Sequence, residues 1–220
     1  MITTFSETGF EAQRHAMVAS QLRPNAVSDQ RVVLAMATIP REGFLPASAR
    51  ELAYFDRLIP LGAGRYANAP MSTARLLTEA ELEPADRVLL IGAAGGYTAA
   101  VLSTIVAEVV AVEVASPLLG IAREALRTTS NVELVERALQ DGCPERAPYD
   151  VLVVDGLVEQ LPESLVAQVR SGGRVVTGLM DSGVARLAAG RRTAGFALQP
   201  FADAEAAPLP GFAQPSSFRF

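Results

Sequence analysis

The stretch VLLIGAAGGY, residues 88–97, decides the fold. Its four apolar residues, 88–91, are too few for a buried helix and run straight into glycine, which reads as a strand entering a loop. Gly92, Gly95 and Gly96 then stand before a helical stretch, 97–106. Glycine lets backbone approach a ligand closely, and a helix N-terminus offers unpaired N–H groups. About twenty residues beyond Gly92, after a second strand at 109–112, stands Glu113, where an acidic side chain can bond ribose hydroxyls. Together these features suit one nucleotide-like ligand. The alternatives are a tight turn whose glycines serve helix packing and a glutamate that caps a solvated strand end. The spacing departs from G-x-G-x-x-G because Ala94 takes the second glycine's place, so a dinucleotide dehydrogenase has weaker support.

Outward from this turn the pattern alternates. A helix at 72–81 precedes it; a helix at 117–127, strands at 132–135 and 151–154, a helix at 162–169 and a Gly172-Gly173 turn into a strand at 174–178 follow. Such alternation predicts an α/β, Rossmann-like fold, a mostly parallel sheet with helices on both faces. Segments 184–189 and 196–201 flank GRRTAG and predict an antiparallel C-terminal strand. The last segment, APLPGFAQPSSFRF (207–220), is expected on the surface with its phenylalanines pinned to the core. Upstream, a helix at 10–22 ends near Pro24, and a helix at 29–38, capped by Ser28, stops at Pro40. Residues 41–70 read as loop around a short helical piece at 47–53. One domain is expected, with 1–70 as an extension packed on a 71–220 core.

Composition narrows the function. The 220 residues carry a net charge of −5 and 50% hydrophobic residues, which argues against a general nucleic-acid binder. One cysteine, Cys143, and one histidine, His15, supply neither a disulfide nor a Cys/His metal cluster. Cys143 reads as a bystander thiol and His15 as an ordinary helix residue. No secretory pattern or membrane-length apolar run is evident, so no membrane partner and a cytoplasmic location are expected. Asp155, after the strand 151–154, is either a ligand-site residue or a helix cap.

The ordered segments PREGFLP (40–46), ELAYFDRLIPLGAG (51–64), NAPM (68–71), VLLIGAAGGYTAAVLS (88–103), APYDVLVVDG (147–156) and SGGRVV (171–176) resemble the protein-L-isoaspartate O-methyltransferase family. The resemblance implies a class I methyltransferase fold, S-adenosyl-L-methionine as donor with S-adenosyl-L-homocysteine as product, and an isoaspartyl peptide or protein as acceptor. It implies a cofactor site at Gly92, Ala94, Gly96, Tyr97, Glu113 and Ala138, with Asn68 at the acceptor.

The pattern departs from the family at several places. Ser-Ala-Pro-His becomes Asn68, Ala69, Pro70 and Met71. Leu90 replaces an acidic residue before the first glycine, and Ala94 replaces a glycine. A Gly-Asp-Gly expected beside the adenine aligns with Arg137, Ala138 and Leu139, with Asp141 a possible substitute. Ala94 is harmless at negative φ and costly at positive φ. These losses leave open a catalytically impaired homologue acting as a binding or regulatory protein, or a methyltransferase with another acceptor.

Overall fold

The computed structural model describes residues 7–214. Seven strands form one sheet: β3 (Arg87–Ile91), β4 (Glu108–Glu113), β5 (Val132–Glu136), β6 (Tyr149–Val158), β7 (Val169–Asp181), β8 (Val184–Arg191) and β9 (Gln199–Asp203). Their order across the sheet is β5-β4-β3-β6-β7-β8-β9. The first five run parallel, and β8 and β9 are both antiparallel to their neighbours. Only β8 therefore runs against the parallel set; β9, antiparallel to β8, returns to its direction. The β7–β8 connection is a two-residue turn at Ser182 and Gly183, both at positive φ, which suits the twist of a hairpin.

Period-two alternation divides the strand side chains between two cores. Val88, Leu90, Val109, Ala111, Val151 and Val153 face one; Leu89, Ile91, Val110, Val112, Leu152 and Val154 face the other. The first core is covered by α1 (Glu7–Met17), α2 (Gln30–Thr38), α3 (Pro70–Glu79), α4 (Tyr97–Ser103) and α5 (Ser116–Ala125). The second is covered thinly, by the single turn α6 (Glu163–Val166), 3₁₀ turns and the C-terminal segment.

Several expected boundaries shift for local reasons. The first helix is α-helical only to Met17; a π-helical turn, Val18–Leu22, carries it to its expected end, and Pro24 then sits early in a 3₁₀ turn, Arg23–Asn25, where proline's missing N–H costs little. The cap of α2 is Asp29, which accepts from Arg31 N at 2.8 Å, rather than Ser28. The irregular region holds 3₁₀ turns Arg41–Phe44 and Ala47–Leu52 and a separate antiparallel hairpin, β1 (Ile59–Gly62) and β2 (Arg65–Ala67). The C-terminal segment is also more than a surface strap. Leu157 N donates to Ala207 O at 2.8 Å and Leu209 N to Leu157 O at 2.9 Å, so the segment lies along β6 over the ends of the parallel strands. Ala207, Leu209 and Phe212 are buried there. Phe218 and Phe220 lie outside the described residues.

Candidate functional site

The carboxyl ends of β3, β4 and β6 converge where open α/β sheets hold ligands. Between β3 and α4 the backbone reaches positive φ at Gly92 (83°), Ala94 (49°) and Gly96 (96°). The strained reading of Ala94 therefore holds, since an L-residue in this region costs about 1–2 kcal/mol. This curl aims Ala94 N at Glu113 Oε2, 2.7 Å away. Gly95 serves packing: a Cβ there would meet the Phe44 carbonyl oxygen at 2.0 Å.

Glu113 is fully buried at the end of β4 rather than solvated. Arg65, from β2, binds it with two parallel bonds, Nε to Oε1 at 3.1 Å and Nη2 to Oε2 at 2.9 Å. Val114 N and Ala115 N also donate to Oε1, at 2.9 and 3.1 Å. Burial by itself would raise the Glu113 pKa; the Arg65 guanidinium and the backbone donors outweigh it and hold the carboxyl below its ordinary value.

A second acidic centre lies across the turn. Asp155, inside β6, accepts from Asn68 Nδ2 at 2.8 Å, from Thr73 Oγ1 at 3.4 Å and from the Thr98 hydroxyl. It ties the loop before α3 to α3 and α4, and it caps no helix. Asn68 is committed on both ends of its amide, because its Oδ1 accepts from Ala207 N at 3.0 Å. Its backbone oxygen accepts from buried Arg41, Nη2 at 2.6 Å. Arg41 lies 4.7 Å from the centre of the Tyr97 ring, and Tyr97 meets Phe44 edge-on at 5.7 Å. Burial pushes the Tyr97 hydroxyl up to about 12, and neither that oxygen nor Arg41 Nε has a hydrogen-bond partner.

The sequence candidates therefore fall into separate places. Gly92, Ala94, Tyr97, Asn68 and Asp155 line one small cavity. Gly96 lies beneath it against α5. Ala138 is outside it, just past β5, at the start of a 3₁₀ turn whose neighbour Arg137 pairs with Glu145 at 2.8 and 2.6 Å. Leu90 is core and Met71 lies in the first turn of α3, after Pro70. Asp141 lies in the 3₁₀ turn Leu139–Asp141. His15 is exposed in the last turn of α1. Cys143 is buried, and its pKa is raised by burial and by Glu145, which leaves it unreactive. Arg65, Arg41, Thr73, Thr98 and Leu209 are residues that the sequence reading missed. Arg65 sits in a three-residue strand, too short for periodicity to register.

The pattern of the protein-L-isoaspartate(D-aspartate) O-methyltransferase family matches residues 12–196. The chain belongs to this family. It is 37% identical over 171 residues to a protein-L-isoaspartate O-methyltransferase of Koribacter versatilis, covering 77% of each chain. It is 41% identical over 171 residues to protein-L-isoaspartate O-methyltransferase 1 of Rhodopseudomonas palustris, covering 77% of this chain and 70% of that one. Among solved structures, a protein-L-isoaspartate O-methyltransferase superposes with a TM-score of 0.78 at 26% identity, over 90% of this chain and 66% of that chain's length. A Plasmodium falciparum structure in complex with S-adenosyl-L-homocysteine superposes with a TM-score of 0.75 over 90% of this chain and 96% of that one; at 16% identity it shares the fold.

The family's donor is a nucleoside, and the crevice can be tested for it. Gly92, at the tip of β3, has its open side occupied: a Cβ there would lie 3.1 Å from Leu209 Cδ2 and 3.2 Å from Arg65 Nη2. The cavity that remains beside the loop measures about 20 Å³, room for roughly one water. Ligand sites of nucleoside size occupy roughly 300–1,000 Å³. In this conformation the crevice does not fit an adenosyl donor.

Proposed function

We propose that the chain is an S-adenosyl-L-methionine-dependent methyltransferase that esterifies the carboxylate of isoaspartyl residues in damaged protein and releases S-adenosyl-L-homocysteine. The observation that carries this reading is Glu113 at the tip of β4 beside the positive-φ turn of β3, in a chain of this family. A sulfonium donor supplies an already activated methyl group, and a carboxylate is ionised near neutral pH, so the protein needs neither metal nor strong base. Its task is positioning. For the donor we assign Gly92, Ala94, Gly96, Tyr97 and Glu113, with Ala138 at the rim. For the acceptor we assign the neighbourhood of Asn68.

Partners follow from the same reading: an isoaspartyl peptide rather than nucleic acid or membrane, in the cytoplasm. A net charge of −5 agrees with this. No helix among the described residues is long and apolar enough to cross a membrane.

Transfer of labelled methyl to an isoaspartyl peptide, with its aspartyl twin as control, tests the proposal. Label in the first and not the second is expected; label in neither, at high enzyme concentration, contradicts it. A second reading, a binding or regulatory protein without turnover, is favoured by one observation, the saturated hydrogen bonding of Glu113. Measured turnover by the unmodified chain removes it.

A further inference from the structure

We propose that Arg65 occupies the ribose subsite of the donor crevice as an internal stand-in, and that the donor binds only after the hairpin Ile59–Ala67 lifts the guanidinium off Glu113. The inference rests on the donor-site reading above.

Three observations carry it. First, the Glu113 carboxylate has no acceptor capacity left. Its two oxygens offer about four lone-pair positions, and they already receive Arg65 Nε, Arg65 Nη2, Ala94 N, Val114 N and Ala115 N. Ribose hydroxyls can bond this carboxylate only by replacing donors. The three backbone N–H groups belong to the turn and to the end of β4, so the removable pair is the guanidinium.

Second, the guanidinium stands where a ligand would. Its Nη2 lies against the open side of Gly92, and the Arg65 and Glu113 side chains are 2% and 0% exposed. The planar fork satisfies both carboxylate oxygens at once, as two vicinal hydroxyls would.

Third, the element that carries Arg65 stands apart from the main sheet. The hairpin is a two-stranded sheet of its own, outside the seven-stranded sheet. Its strands have four and three residues, and its turn, Gly62-Ala63-Gly64, is at positive φ throughout. Buried Ile59 and Leu61 anchor β1 in the first core, so the part left to open is the turn with β2, and elements that open in function come from the least stable part of a fold. Tyr66, beside Arg65, is already 38% exposed.

A stand-in of this kind weakens donor affinity by the fraction of molecules that are open. Removing it should restore that fraction. The experiment is calorimetric titration of S-adenosyl-L-homocysteine into the unmodified chain, Arg65→Ala and Arg65→Gln, with amide hydrogen exchange of the unmodified chain with and without the ligand. Glutamine keeps one donor for Glu113 and guards against misfolding of the alanine variant.

The expected result is binding that is tighter by roughly 10- to 100-fold in the variants. In the unmodified chain, saturating ligand should speed exchange at residues 59–67 while slowing it at residues 92–98. Ordinary binding to a preformed site would protect both. Equal or weaker binding by the variants, or protection of 59–67, overturns the stand-in while leaving the donor site in place. Binding by none of the three proteins overturns the donor-site reading as well.

Discussion

Asn68 bridges Asp155 and Ala207, donating through Nδ2 to the Asp155 carboxylate at 2.8 Å and accepting through Oδ1 from the Ala207 amide at 3.0 Å. Its amide has both a donor and an acceptor end, and each is used. The serine that the family places here has one short hydroxyl and cannot span both partners. Asn68 therefore secures the C-terminal segment over the strand ends, and through Leu209 it contributes to closing the crevice. Asn68→Ala should cost about 1–3 kcal/mol in denaturant unfolding, because it leaves the buried Ala207 amide without its acceptor and the half-buried Asp155 carboxylate short of one donor. Asn68→Ser should recover only part of that loss. A cost below about 0.5 kcal/mol for the alanine variant would show that the bridge is not structural.

Ala94 holds φ at 49° in a turn where the family uses glycine. Ala94→Gly removes the side-chain penalty at the cost of a more flexible unfolded chain, and the balance should stabilise the protein by about 0.5–1 kcal/mol. Thermal unfolding checks this through a higher Tm. A β-branched residue should move it the other way, so Ala94→Val serves as the opposite control.

The Arg65–Glu113 pair gives stability a defined pH dependence. Glu113 has a folded pKa below its ordinary 4.5, so its contribution is complete above that value and is lost as pH falls from there through the folded pKa. Breaking a buried pair by removing one partner costs about 3–5 kcal/mol. Glu113→Gln should therefore be less stable than the unmodified chain near neutral pH by about that amount, and the gap should narrow steadily as pH falls below about 4.5. A gap that stays constant down to pH ~3 would contradict the ionised, paired state.

Tyr97 contributes through its ring rather than its hydroxyl, which is buried without a partner. Tyr97→Phe keeps the edge contact with Phe44 and the face under Arg41, and its stability should stay within about 0.5 kcal/mol of the unmodified chain. Tyr97→Leu loses both and should cost about 1–2 kcal/mol. Equal effects of the two changes in urea unfolding would count against the ring contacts.

How far the sequence revealed this arrangement depended on the length of each signal. The parallel core was plain because four-residue apolar runs such as 88–91 and 151–154 must be buried on both faces and end at turn residues. The Gly-rich turn and Glu113 were readable for the same reason: they occupy fixed offsets from those strands. The hairpin Ile59–Ala67 was not, since strands of four and three residues carry no usable period. Long-range partners were invisible too. Nothing local in GAGRYAN says that Arg65 pairs with a residue 48 positions away, or that Leu209 returns over Gly92. Ser28 and Asp29 both suit the cap by residue type, and which one takes it turns on a backbone angle at a single residue.

In the proposed arrangement the end of β4 is the donor's ribose subsite, held by Arg65 until the donor binds. A crystal structure of the chain grown with saturating S-adenosyl-L-homocysteine decides this. Ribose oxygens are expected within hydrogen-bond distance of Glu113, with the Arg65 guanidinium withdrawn from it. Ligand bound elsewhere with the Arg65–Glu113 pair intact would contradict it.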